Sequence, residues 1–277
     1  MAGLTIRVPP QFVVQLTLMA IQHLIIDMDG VLWRGAQVIP NAPAFIRFLR
    51  ERGIGFILAT NNSTKTVEQY VDKLAGFGMA VAPHEIITSA MATADYLATL
   101  AGPGTPVYVI GGQGLRQALA QRGFALDSHQ ARFVVVGQDL GLTFEKLRRA
   151  TLLIRAGAGF IGSNPDKTFP SEEGIIPGAG AILAALEAAT GIRPVIVGKP
   201  EPIMFEQALK RLGGPRDNAA VLGDRLETDI LGGQRAGLKT ILVLSGVTTG
   251  HELAISEIKP TWVFRDVDEV RQKWDRL

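Results

Sequence analysis

The run Leu24-Ile25-Ile26-Asp27-Met28-Asp29-Gly30 constrains this chain more than any other stretch. Three consecutive aliphatic residues predict a strand buried on both faces, as at the centre of a parallel sheet. Two acids and a glycine then end it abruptly. The C-terminal edge of such a sheet is where open α/β proteins bind ligands. Residues two apart on an extended chain point the same way, so Asp27 and Asp29 face one centre, and Gly30 permits a sharp turn after them. On its own, an acidic pair at a strand end serves equally well to open a turn. The rest of the chain decides between the two.

Strand and helix patterns alternate from there. The apolar run 54–59 ends in Thr60-Asn61-Asn62-Ser63 and precedes a helix reaching about residue 75. Further on, 195–197 ends in Gly198-Lys199-Pro200, and 219–222 ends in Gly223-Asp224-Arg225, with Asp229 near the start of the next helix. Strands at 240–244 and 262–264 complete the series. This alternation predicts an α/β fold, a Rossmann-like doubly wound parallel sheet joined by right-handed crossovers. The strands predicted at 106–110, 132–136 and 159–162 end without paired acids or a lysine. Residues 90–176 are therefore read as an inserted smaller α/β domain, and the core as two pieces, 21–89 and 177–277. On that division the 195–197 strand belongs to the core sheet. The Gly111-Gly112-Gln113-Gly114 segment lacks the full G-x-G-x-x-G and reads as a tight turn.

Composition narrows the chemistry. With 47% hydrophobic and 19% charged residues the 277-residue chain is globular. A formal charge of +2 and the lack of any Lys/Arg run argue against nucleic acid as a partner. Zero cysteines exclude disulfides, thiolate nucleophiles and cysteine metal sites, and the four histidines form no HxxxH or HExxH pattern. No apolar run reaches the roughly 18 residues of a membrane span. Residues 1–20 carry Pro9-Pro10 and lack a basic n-region, so they read as a peripheral extension, and the protein as cytoplasmic.

Four strand ends thus present Asp27/Asp29, Thr60/Asn61, Lys199 and Asp224 in order. Carboxylates gathered from two strands make the oxygen-rich pocket that Mg²⁺ prefers. A hydroxyl, an amide and an ammonium complete a cradle for phosphoryl oxygens, and a carboxylate can attack phosphorus.

The segments DMDGVLWRG (27–35), ATNNS (59–63), TSAMATADYL (88–97), SNPDKTFP (163–170), PGAG (177–180), GKPEPIMF (198–205) and GDRLETDI (223–230) occur in one order across nearly the whole chain. In this set the sequence resembles the haloacid dehalogenase superfamily, specifically its NagD-like and 4-nitrophenylphosphatase group with a type-2 cap. The resemblance implies an Mg²⁺-dependent phosphatase acting on a small phosphorylated metabolite through an aspartyl-phosphate. It makes Asp27 the nucleophile and Asp29 the acid that protonates the leaving oxygen and later activates water. Thr60, Asn61 and Lys199 would hold phosphoryl oxygens. Asp27, the Asp29 carbonyl and Asp224 would hold Mg²⁺, with Asp229 supporting the metal and Lys199. The insertion would be a lid whose loop 163–169 meets the leaving group through Asn164, Asp166 and Phe169, and a homodimer through this cap is the expected assembly. Two rivals stay open at this level: a phosphotransferase or mutase of the same superfamily, and a phospho-accepting receiver. The receiver needs neither Asp29 nor a lid.

Overall fold

The computed structural model describes residues 21–171 and 173–277. The extension read at 1–20 lies outside the described residues. A six-stranded parallel sheet forms the larger layer, in the order Trp262–Phe264, Lys239–Val243, Ala219–Gly223, His23–Ile26, Gly55–Thr60, Ile86–Thr88. The strand before Asp27 is central, as its unbroken apolar run predicts, and Leu24, Ile25 and Ile26 are all buried. Side chains alternate between the two faces. Leu24, Ile26, Phe56, Leu58 and Leu222 pack with Phe45, Leu49, Leu74 and Val270 from helices Ala42–Glu51, Val67–Gly76 and Val267–Gln272. Ile25, Ile57, Ala59 and Val221 pack on the other face with Leu97, Phe205 and Ala208 from helices Ser89–Leu100 and Pro202–Leu212. Helices on both faces make this the doubly wound α/β sheet that the alternation predicts.

A second parallel sheet has four strands, ordered Val195–Ile196, Gly159–Gly162, Phe133–Val136, Val107–Ile110. Ile182, Leu183 and Leu186 of helix Ala179–Thr190 pack with its Ile110, Val134 and Val136. This corrects one expectation. The helix after residue 177 and the 195–196 strand belong to the second sheet, so the chain rejoins the catalytic sheet only beyond Val197. A two-residue strand whose Val195 is half exposed lies on the sheet's edge, and its sequence carries no mark of which sheet it will pair with.

Both sheets turn their C-terminal edges toward the same place. Gly114 N–H donates to the Thr64 carbonyl (3.0 Å), and Ser163 Oγ meets Ser63 Oγ (3.3 Å). Strand ends of the smaller unit therefore rest on residues 61–65 of the larger one. Among the described residues no helix is long and apolar enough to cross a membrane.

Candidate active site

Parallel pairing brings the predicted residues together. Asp27 N–H donates to the Leu222 carbonyl (2.8 Å), which sets the first strand end beside the one that carries Asp224. The Asp27 side chain is 11% exposed and ends beside Lys199, whose Nζ donates to Asp27 Oδ1 at 2.5 Å. The same ammonium donates to Asp229 Oδ1 (2.7 Å) and to the Ala59 carbonyl (3.2 Å). Lys199, Asp224 and Asp229 are almost wholly buried, at 3%, 1% and 1% exposure. A buried charge requires partners, and this lysine has two carboxylates. Burial by itself would lower the Lys199 pKa, but the charges of Asp229 and Asp27 overcome it and hold the ammonium above the ordinary lysine value.

Asp229 sits on a wide helical turn, Leu226–Ile230, and its second oxygen accepts the Arg225 N–H (3.1 Å). Asp224 Oδ2 accepts the Val247 N–H (2.7 Å). This carboxylate lies so close to Gly30 that any Cβ there would collide with it, and Gly30 also has φ +85°, a region that disfavours other residues. The glycine after the acidic pair therefore makes room for the third acid as well as for the turn.

Oxygens of Asp27, Asp224 and Asp229 lie within 4.8 Å of one another, and Asp224 Oδ1 is buried without a hydrogen-bond partner. Burial, followed by the charge of Asp229, pushes Asp224 up to about 6. Burial also raises the Asp27 pKa above its ordinary value, against the pull of Lys199. An orphaned carboxylate oxygen among crowded acids suits a hard divalent cation such as Mg²⁺. Asp229, with both oxygens already engaged, supports Lys199 from behind.

Asp29 lies on the open side of the site. Its Oδ1 accepts the indole N–H of the fully buried Trp33 at 2.6 Å. Lys73 Nζ stands 4.2 Å above the same indole ring and donates to the Gly35 carbonyl. Sequence reasoning missed Trp33, which in a sequence reads as one more core aromatic. It also missed the Val247 N–H, although Leu244-Ser245-Gly246 ends an apolar run as the other site strands do.

Thr60 is buried, its Oγ1 accepts the Asn62 N–H (3.1 Å), and the buried Tyr70 hydroxyl is its neighbour. Asn61 and Asn164 are buried side by side. Asn164 Nδ2 donates to the Asn61 carbonyl (2.8 Å) and Ser163 Oγ (3.1 Å), and its Oδ1 accepts the Asp166 N–H (3.2 Å). Asp166 Oδ1 accepts from Asn61 Nδ2 (3.2 Å), and burial raises the Asp166 pKa. Phe169 stands apart from these contacts on the antiparallel pair Thr168–Ser171 and Gly174–Pro177, half-buried opposite Ile176. The loop 163–169 is therefore divided. Its first half is tied into the base of the site, and its second half belongs to the hairpin.

Comparison with known proteins places this geometry in context. Residues 24–125 match the family model described as haloacid dehalogenase-like hydrolase, and residues 196–270 match the HAD-hydrolase-like model. The acid sugar phosphatase of Staphylococcus aureus is 42% identical over 247 residues, which is 88% of this chain and 95% of that protein. The crystal structure of 4-nitrophenylphosphatase from Thermotoga maritima superposes with a TM-score of 0.89 at 36% identity, covering 93% of this chain and 98% of that one. Glycerol phosphate phosphatase from Mycobacterium tuberculosis, crystallised in complex with magnesium, gives a TM-score of 0.85 at 31% identity over 93% of this chain and 78% of that one.

Proposed function

As the chain belongs to the haloacid dehalogenase-like hydrolases and is a phosphoric monoester hydrolase, we propose that it hydrolyses a small sugar phosphate or related metabolite, with Mg²⁺ bound, through an aspartyl-phosphate on Asp27. One observation carries this reading. A single buried ammonium, Lys199, bridges Asp27 at the end of the central strand and the buried Asp229, beside an Asp224 oxygen that has no partner. The match to an acid sugar phosphatase supports the substrate class.

The residues divide the work. Asp27 Oδ attacks phosphorus, so that an O–P bond forms as the bond to the leaving oxygen breaks. Asp29 gives a proton to that oxygen. Because the Trp33 N–H occupies Oδ1, the transferred proton travels on Oδ2. Water then attacks the phosphoryl group, Asp29 Oδ2 takes its proton, and Asp27 is released as a carboxylate with free phosphate. Lys199 and the Thr60 hydroxyl hold phosphoryl oxygens as charge shifts onto them. Asp27, Asp224 and the Asp29 carbonyl would hold Mg²⁺, which when bound screens the Asp27 carboxylate from the incoming phosphate anion. Of the residues expected at the leaving group, Phe169 on the hairpin is the side chain we retain there.

The reading is tested by phosphate release from hexose, pentose and glycerol phosphates, nucleoside monophosphates and 4-nitrophenyl phosphate, with Mg²⁺ or with EDTA. Release should need Mg²⁺, and at least one sugar phosphate should exceed the nucleotides in kcat/KM. Release untouched by EDTA would sink the metal-dependent mechanism. Transfer to an added sugar in preference to water would identify a phosphotransferase instead.

Proton competition at the same acids gives a second expected outcome. Asp224 rises from 3.8 to about 6 on folding, so without metal it favours the folded state while protonated. Its contribution falls as pH climbs through that window, by up to about 3 kcal/mol. Mg²⁺ requires the deprotonated carboxylate. Saturating Mg²⁺ should therefore raise the melting temperature more at pH 7.5 than at pH 5. An equal or larger shift at pH 5 would show that the ion binds elsewhere.

A further inference from the structure

The amide of Asn61 lies flat against the peptide of Lys199. Lys199 N–H donates to Asn61 Oδ1 at 2.8 Å, and Asn61 Nδ2 donates back to the Lys199 carbonyl at 2.9 Å. The second Nδ2 proton goes to Asp166 Oδ1 (3.2 Å). The main-chain carbonyl of Asn61 accepts from Asn164 Nδ2 (2.8 Å) and from Ser89 Oγ (2.5 Å). Both donors of this side chain are in use, so it has none left for a phosphoryl oxygen.

Lys199 is therefore gripped at two ends. Its ammonium is held by Asp27, Asp229 and the Ala59 carbonyl, and its backbone by Asn61. The neighbouring peptide is equally confined. Gly198 N–H donates to the Ser163 carbonyl (2.9 Å), and a Cβ at Gly198 would strike both that carbonyl and Asn61 Oδ1. Ser163, Asn164 and Asp166 all follow the Gly159–Gly162 strand of the inserted unit. One asparagine thus joins the end of a core strand, the backbone of the phosphate-holding lysine and the inserted loop.

We infer that Asn61 is a positioning residue: it fixes the backbone of Lys199 and, through Asp166 and Asn164, makes that placement depend on how the inserted loop is seated. This replaces the direct phosphate contact that a strand-end amide suggests, and it rests on the proposed role of Lys199. The chemistry requires an asparagine. An aspartate offers only acceptors, so it would set acceptor against acceptor at the Lys199 carbonyl and like charge against Asp166, and a glutamine would place the amide one methylene too far out.

The test combines Asn61→Ala, Asn61→Asp and the exchanged pair N61D/D166N. Each is assayed on a sugar phosphate and on 4-nitrophenyl phosphate, with orthovanadate as inhibitor. Asn61→Ala should lower kcat about 10- to 100-fold, the range seen when supporting partners of a reacting group are lost. KM should move less than about threefold, and vanadate inhibition should weaken in parallel with kcat, because Lys199 acts on the phosphoryl group in its transition state. Both substrates should lose equally. Asn61→Asp should be worse, and adding D166N should restore about tenfold of kcat by returning a donor opposite the new carboxylate. A kcat within threefold of wild type, a loss confined to KM, or no recovery in the exchanged pair would each overturn the inference. If Asn61→Ala melts below the assay temperature, Asp166→Ala, which removes the acceptor for Asn61 Nδ2, decides: a 3- to 10-fold loss of kcat sustains the inference, and an unchanged kcat overturns it. Lys199→Ala run alongside separates the two levels. Activity in that variant would undo the proposed role of Lys199, whereas an inactive Lys199→Ala with an unaffected Asn61→Ala would undo only the positioning role.

Discussion

Asp27→Asn should reduce phosphate release by about a thousandfold or more, equivalent to roughly 4 kcal/mol of transition-state stabilisation. The physical reason is specific to the atom. An amide oxygen is a poor nucleophile toward phosphorus, and with that oxygen kept as the acceptor for Lys199 the other atom is an NH2 that can neither attack nor ligate a metal. The fold should tolerate the change, because Asp27 lies at the open end of its strand and Lys199 keeps Asp229 as a partner. In metal-free buffer the variant should be at least as stable as the wild type, since it removes a carboxylate whose pKa burial has raised. Wild-type protein quenched in acid during turnover should carry a phosphoryl group on Asp27, and the variant none. Turnover of the asparagine variant within tenfold of wild type would remove Asp27 as the nucleophile.

Lys199→Met should be costly in both activity and stability. Methionine keeps much of the stem's volume but leaves Asp27 and Asp229 facing each other in a buried site without the cation that both contact. Removing one member of such a cluster costs about 3–5 kcal/mol, which for a chain of this size lowers the melting temperature by about 10 °C. Loss of a charged group that holds the phosphoryl oxygens should cut kcat by about a hundred- to a thousandfold. The sign of the pH effect follows from the shifts. In the wild type the raised lysine stays charged through neutral pH, so its contribution persists there and disappears only at strongly alkaline pH. In the variant the two acids can relieve their repulsion by taking up a proton. The difference in melting temperature, measured in EDTA, should therefore be larger at pH 8 than at pH 5. A constant difference would mean that the carboxylates are not electrostatically coupled through Lys199.

Much of the site was legible because its residues share a local grammar. Asp27, Thr60 and Asp224 each follow an apolar run long enough to be a buried strand, and in a parallel sheet all such runs end on one edge. The same logic predicted Trp262–Phe264 as an edge strand and Asp229 one turn into the helical segment after Asp224. Periodicity, strand termination and turn chemistry depend on neighbours in sequence, so they can be read without coordinates.

Pairing partners cannot be read in this way. Val195-Ile196 looks like a core strand, yet it pairs with Gly159–Gly162 in the smaller sheet, so Lys199 reaches the catalytic edge from the inserted unit's side. Asn61 could equally have bound phosphate or clamped a peptide. The outcome depends on the backbone of Lys199, 138 residues away, approaching to 2.8 Å. Trp33 could have been an ordinary core residue, but a turn closing onto Asp29 gives its N–H a carboxylate to hold. Asn164 and Asp166, expected at the leaving group, also brace Asn61 from the side. In each case the residue type was compatible with two roles. The choice was made by which buried donor or acceptor still needed a partner once distant segments had packed, and that requirement arises only in the folded chain.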